Sequence, residues 1–377
     1  MPEPVSNVAG TLNGLSVSHE SVLTLVEAAV SGCPKDNLAS NLKRSDPMEL
    51  ARLSQANHVH TMVFPVLEAH ADLRSSVPRD LYIFFREMYH ANQHRLAQGM
   101  LQLSELGAAL KSASIPAVVL KGGGDMLDSL HKDPAMRFVG DLDVLIHESK
   151  VENVIEVAKG IGAAMSENGP ANDAPQLNWR GQPIPLHHLP AFTREDWLFP
   201  VEFHTRVGAG RIDDLLPVDA VFAESLPSRL PGLRFMANDD RACHLLAHAD
   251  HHGAALALRA WVDWSMLRTR CNRDTVRRRL NFTGLEEVFN AYETMADAFT
   301  SGTVTKTNSN VLARSIIRDF GNSNSRRWGY LPSVLLNRAR GILVSPEYRR
   351  YLLKQSTSPA WWSRVFRNHT EKARRLR

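Results

Sequence analysis

The sequence predicts an α+β protein in which a short strand-bearing centre lies between helical N-terminal and C-terminal regions. Three observations carry that prediction. Apolar residues recur at helical spacing through most of residues 46–112 and return to it from about residue 239. Between those stretches the period changes to short, β-branched, nearly continuous apolar runs of the kind that fill buried strands. The chain has 377 residues, 44% hydrophobic and 22% charged, which suits two or three packed units and excludes a disordered or fibrous chain.

Residues 1–45 show weak periodicity among scattered Gly, Ser and Asn, and no element is assigned there. From Asp46, with Ser45 or Asp46 as cap and Pro47 in the first turn, Leu50, Leu53, Val59, Val63, Val66 and Leu67 fall at helical spacing. A second long helix spans about residues 79–111, its apolar stripe running from Leu81 through Phe85, Leu96 and Leu103 to Leu110. Residues 115–120 read as a buried strand that stops at Lys121-Gly122-Gly123-Gly124, with a helical turn or two over 126–131. A second strand covers 140–146 and an amphipathic helix 151–161. The Pro- and Trp-containing text of 170–200 suggests hairpins and loops before a third strand at 199–207. Helices follow at about 239–252, 256–269, 275–280 and 285–298, with Trp261, Trp264 and Leu267 as a core stripe rather than a base-stacking platform. The division is 1–45 unassigned, 46–112 helical, 113–236 the strand-bearing core, 237–300 helical, and 301–377 a basic helical C-terminal region.

The three cysteines, Cys33, Cys243 and Cys271, are odd in number and far apart. That excludes a disulfide framework and the CxxC spacing of a zinc site, and points to a reducing compartment. No apolar stretch approaches the roughly 18–20 residues of a bilayer span, and the first residues lack a basic-then-apolar leader, so a cytoplasmic location is expected. The net charge of +4 is unevenly placed. Residues 326–377 carry 13 Lys/Arg against Glu347 and Glu371, a net +11, which leaves about −7 for the rest. Such a tail can meet phosphates on nucleic acid or on an anionic surface, and a solvated helical face is the plainer reading.

Asp141 and Asp143 flank Leu142 in an apolar strand, so strand alternation points both carboxylates to one side. Like charges so placed ask for a divalent cation, and hard oxygen ligands favour Mg²⁺ or Mn²⁺. Lys121, Gly122 and Gly123 follow a strand and precede a helix, where backbone amides and a helix N-terminus can surround a phosphate; a plain tight turn needs glycine too. Arg137, four residues before Asp141, is a cation suited to phosphate oxygens. Glu202 and His204 alternate with apolar residues on the third strand and share a face, so Glu202 can complete a three-carboxylate metal site with Asp141 and Asp143. Three acids, two cations and a phosphate cradle suit attack of a hydroxyl on a nucleoside triphosphate. His244 and His248, four apart on a helix with His251 beyond, lack the partners of a zinc site and read as packing or substrate contacts.

Residues 118–146, from VVLKGGG to GDLDVLI, resemble the core of bacterial uncharacterised nucleotidyltransferases of the DNA polymerase β-like superfamily: a strand, Lys-Gly, a helix, an Arg, then (G/S)-D-x-D. The resemblance continues through the acid-x-His strand at 201–206 and the His-containing helices of 239–270, covering roughly residues 50–300. It implies a small mixed sheet as the nucleotidyltransferase core, Asp141 and Asp143 as metal ligands, Glu202 as third acid, and Gly122 and Gly123 at the triphosphate. Gly-Gly stands where the superfamily commonly has Gly-Ser, and Glu202 where Asp is common.

The resulting expectation is transfer of a nucleoside monophosphate from an NTP to an acceptor hydroxyl, with Mg²⁺ (or Mn²⁺) and release of pyrophosphate. Asp141, Asp143 and Glu202 are the catalytic and metal residues; Lys121, Gly122, Gly123 and Arg137 bind nucleotide; His204 and His248 touch substrate. The acceptor class is open among small molecule, sugar, peptide, protein and tRNA. Two alternatives stand beside this. One is a tRNA-modifying enzyme, because the Gly-Gly and Arg…D-x-D pattern also resembles the AbiEii-type toxins. The other is a catalytically silent scaffold that binds nucleotide or a membrane surface.

Overall fold

The protein is described here by a computed structural model covering residues 15–166, 176–177, 183–184, 187–208, 211–252 and 257–301, with single positions at 313, 317, 346 and 349. Apart from single positions, the expected basic helical region 301–377, with its +11 segment, lies outside the described residues. Among the described residues, no helix is long and apolar enough to cross a membrane.

The centre of the fold is set by two strands whose residues are buried on both faces, Ala117–Val119 (β1) and Leu142–Leu145 (β2). The further strands are Ala164–Met165 (β3), Gln176–Leu177 (β4), Pro183–Ile184 (β5), Phe192–Thr193 (β6), Val201–His204 (β7), Leu226–Pro227 (β8) and Leu233–Phe235 (β9). β4 and β5 form a separate ladder, and the other seven make one mixed sheet in the order β3-β6-β7-β2-β1-β9-β8. β1 is antiparallel to β2 and parallel to β9, while β2 is parallel to β7. The β2–β7 register sets Asp143 beside Glu202 and Leu145 beside His204.

Side-chain alternation then divides the sheet into two faces. Val119, Leu142, Val144, Val201 and Phe203 pack in one cluster with Leu103, Leu106 and Leu110 of the long helix Arg79–Ser112 and with Val154 and Ala158 of the helix Val151–Gly160. Val118, Leu120 and Leu145 join a second cluster that runs through Val22, Leu25 and Phe85 to Trp261, Trp264 and Phe299. Asp143, Glu202 and His204 lie on that second face, under the helical layer. The α+β class with flanking helices is the observed architecture.

Several elements differ from expectation for physical reasons. Residues 17–44 hold two helices, Val17–Ser31 and Leu38–Arg44, where no element was assigned. In the first, Ser21, Thr24 and Glu27 recur at helical spacing but are buried with Val22, Leu23, Leu25, Val26 and Ala28, so the polar side of this helix packs inside. The helical run from Asp46 divides into Pro47–Ala56 and His60–Ala69, because His58 takes a left-handed backbone (φ +54°) between them. The helix expected at 126–131 begins earlier, at Lys121, and ends at Asp128. β9 was not anticipated, since three residues of Leu-Arg-Phe carry too short a pattern to read. Trp261 and Trp264 are fully buried, as a core stripe requires.

A buried ionic network joins the helix Lys121–Asp128 and the segment before β2 to the C-terminal helices. Arg137 lies 2.9 Å from Asp125 of the helix Lys121–Asp128 and 2.9 Å from Asp263 of the helix Ala257–Leu267. Asp263 is also 3.0 Å from His131, and Arg241 of the helix Asn238–His252 pairs with Asp125 and Asp128. Burial opposes ionisation of Asp263, but the Arg137 charge and the His131 hydrogen bond outweigh it and hold the carboxyl well below its usual range. Replacing one member strands the others without solvent. Asp263→Asn is therefore expected to lose about 3–5 kcal/mol of unfolding free energy in urea, as broken buried pairs do; a loss below about 0.5 kcal/mol would contradict the network's role.

Candidate active site

The site is built on three neighbouring strands. Lys121 is the second residue beyond β1, Asp143 sits within β2, and Glu202 and His204 lie on β7. Asp143 is 1% exposed, and one of its oxygens, Oδ1, serves two cationic groups: Lys121 Nζ donates to it at 2.6 Å, and His204 Nε2 lies at 2.7 Å. Its other oxygen, Oδ2, is buried with no hydrogen-bond partner among the described residues. Glu202 Oε2 is 3.7 Å from His204 Nε2 and 3.8 Å from His188 Nδ1. Ligand atoms of Asp143, Glu202 and His204 all fall within 4.8 Å of one another, a grouping that can hold a metal ion. That group differs from the three-carboxylate set read from the sequence: His204 enters it and Asp141 does not.

The charges are strongly coupled. Burial alone would raise Asp143, but the Lys121 ammonium and the His204 contact together hold its carboxyl far below the usual range. For His204, burial favours the neutral ring, and the contacts with Asp143 and Glu202 reverse that and raise it. Glu202 is lowered mainly by His204. Asp141, half-buried, is raised by burial and by the charge of Asp143. A carboxylate raised by its neighbour's charge and an orphaned buried carboxylate oxygen are what a divalent cation would satisfy, so the residues present fit one.

Lys121 takes a left-handed backbone (φ +45°), a strained state for a side-chain-bearing residue, and this turn sends the chain from β1 into the helix Lys121–Asp128. Gly122 and Gly123 therefore form the helix's first turn rather than a loop before it. Both are buried, and a Cβ would come within 2.8 Å of Arg137 Nη1 at Gly122 and 2.7 Å of Val119 Cγ1 at Gly123. Their amides precede the first turn-closing bond, from Gly124 N–H to Leu120 C=O at 3.0 Å, and are the donors a helix start leaves for a ligand.

Arg137 does not lie open beside the carboxylates. It is buried between Asp125 and Asp263 and also donates to Phe138 C=O at 3.0 Å. It lines a cavity shared with Lys121, Arg241, His244, His248 and Arg259. Thus His248 is placed beside this cavity, while His204 is fixed against Asp143. Three groups escaped sequence reasoning. His188 lies in text without periodicity, Arg259 is one arginine among many, and Asp263 sits in a stripe read only for its tryptophans.

A family model described as uncharacterised nucleotidyltransferase matches residues 43–300, more than half of the chain. The chain belongs to this nucleotidyltransferase family. No curated protein and no solved structure matches it. Within the nucleotidyltransferase, the matched region spans every residue of the site just described.

The coupled charges set a pH dependence. Asp143 titrates below its ordinary 3.8, so its contribution to stability is present above that value and is lost as the pH falls toward the folded one. His204 titrates above its ordinary 6.5, so its contribution is present below 6.5 and is lost as the pH rises through the folded value. In urea unfolding across pH, the stability difference between wild type and Asp143→Asn should peak between these two values and shrink on both sides. A pH-independent difference would contradict the shared-oxygen arrangement.

Proposed function

We propose that this nucleotidyltransferase moves a nucleoside monophosphate from an NTP to an acceptor hydroxyl in a reaction that depends on Mg²⁺ or Mn²⁺. The bond between the acceptor oxygen and the α-phosphorus forms, the bond from the α-phosphorus to the bridging oxygen breaks, pyrophosphate leaves with the electron pair, and the hydroxyl proton passes to solvent. The observation that carries the reading is the orphaned Oδ2 of Asp143, buried beside Glu202 at the start of a glycine helix.

Asp141, Asp143 and Glu202 would hold the divalent cations, which supply positive charge to the attacking and leaving oxygens when bound. The chain's own groups do the rest. The Gly122 and Gly123 amides face the triphosphate from the helix start, and Lys121 holds Asp143 and adds charge on the same side. Arg137, neutralised by Asp125 and Asp263, acts by position, packed behind Gly122 at the start of the glycine helix. Glu202, whose pKa is lowered, is better suited to orient the acceptor as a ligand than to take its proton. His204 keeps Asp143 and Glu202 at their spacing, and His248 borders the phosphate side.

The test is metal-dependent pyrophosphate release from each NTP, with cell extract as the source of acceptor. Asp141→Asn and Asp143→Asn should each lose at least about a hundredfold in turnover, several kcal/mol of barrier. Glu202→Gln should lower kcat more than it raises KM, because it acts in the transition state. Near wild-type turnover in either Asp variant would overturn the assignment.

A further inference from the structure

The cavity beside Lys121 holds one cation that makes no close ion pair of its own among the described residues. Four cations line it, and three are matched: Lys121 by Asp143, Arg137 by Asp125 and Asp263, and Arg241 by Asp125 and Asp128. The fourth, Arg259, has no carboxylate within 4.0 Å among the described residues. One of its terminal nitrogens lies 3.3 Å from His58 Nδ1, and its Nε is buried without a partner. In the lining of the same cavity His244 is 4% exposed, and its Nε2 also has no partner among the described residues. Burial, reinforced by the charge of Lys121, pushes His244 down to about 3, so this ring is neutral and keeps a donor. An arginine stays charged even where burial lowers it, and Arg259, half-buried with its Nε shut off from solvent and unpartnered, offers an anion a fixed charge and a free donor.

The room available limits the anion. The cavity holds about 60 Å³. Since a water needs roughly 10–15 Å³ on this measure, the space is enough for a phosphoryl group. Lys121 is shared between the cavity and Asp143, so a phosphate held here belongs to the same ligand as one at the carboxylates or to a product leaving them.

We infer that Arg259 and His244 form a phosphate pocket that grips the terminal phosphate of the nucleoside triphosphate and then the departing pyrophosphate. This rests on the nucleotidyl-transfer reading for its ligand, while the pocket itself stands on the unmatched arginine and the orphaned imidazole nitrogen.

Isothermal titration of the full chain in EDTA separates the two. The probes are sodium pyrophosphate, inorganic phosphate and a nucleoside monophosphate. Wild type should bind pyrophosphate, Arg259→Met should weaken it at least tenfold, and nucleoside monophosphate binding should stay within twofold. Inorganic phosphate binding as tightly as pyrophosphate, with the same Arg259 dependence, would support the pocket and assign it to free phosphate. Arg259→Lys, which keeps length and charge if Arg259→Met fails to fold, should weaken pyrophosphate several-fold by losing the fork of donors. Pyrophosphate affinity unchanged in a folded Arg259 variant, or absent in wild type at millimolar concentration, overturns the pocket. Because neither metal nor acceptor is present, Arg259-dependent binding in a protein that transfers no nucleotide would uphold the pocket and remove the transferase reading.

Discussion

One carboxylate oxygen organises the centre of this protein. Asp143 Oδ1, buried in the middle strand of the sheet, is held at once by Lys121 at the end of β1 and by His204 on β7. A carboxylate so deeply buried is tolerated only when cations meet it, and here those cations come from the two neighbouring strands. The ionic contact therefore crosses three adjacent strands. It also accounts for the strained backbone of Lys121, whose positive φ turns the chain into the glycine helix while its ammonium reaches back to β2. With Oδ1 committed to the protein, Oδ2 is left for a ligand.

A second buried network fixes what faces that oxygen. Arg137 links the glycine helix to Asp263 on a C-terminal helix, and Arg241 links the same glycine helix to Asn238–His252. These contacts place the histidine helix and Arg259 over the sheet face that carries the carboxylates. Most cations in this layer are neutralised by neighbours and act by position. Arg259 is the exception, with no carboxylate within 4.0 Å among the described residues, and the proposed phosphate pocket rests on it.

Much of this was legible from residue order. The D-x-D alternation placed two acids on one face, and the E-x-H alternation placed Glu202 and His204 together, because strand geometry leaves little choice. That β7 lies beside β2 in a register setting Glu202 against Asp143 needed the sheet. The glycines were read as a phosphate loop, whereas they also pack tightly against Val119 and Arg137, a constraint that arises only from long-range contacts. Arg137 gave no sign of its buried acid partners, since Asp263 is more than a hundred residues away. Helix Val17–Ser31 was missed although Ser21, Thr24 and Glu27 recur at helical spacing, and that these polar residues pack inside needed the fold.

The central claim is that Asp143 Oδ2 and Glu202 hold a catalytic cation above the glycine helix. Anomalous diffraction from crystals grown with Mn²⁺ and a non-hydrolysable NTP tests it most directly. The account predicts a manganese peak about 2.1 Å from Asp143 Oδ2, with Glu202 in the same coordination shell and Lys121 still on Oδ1. A bound nucleotide with no manganese at Asp143, or manganese held by acids elsewhere in the chain, would contradict it.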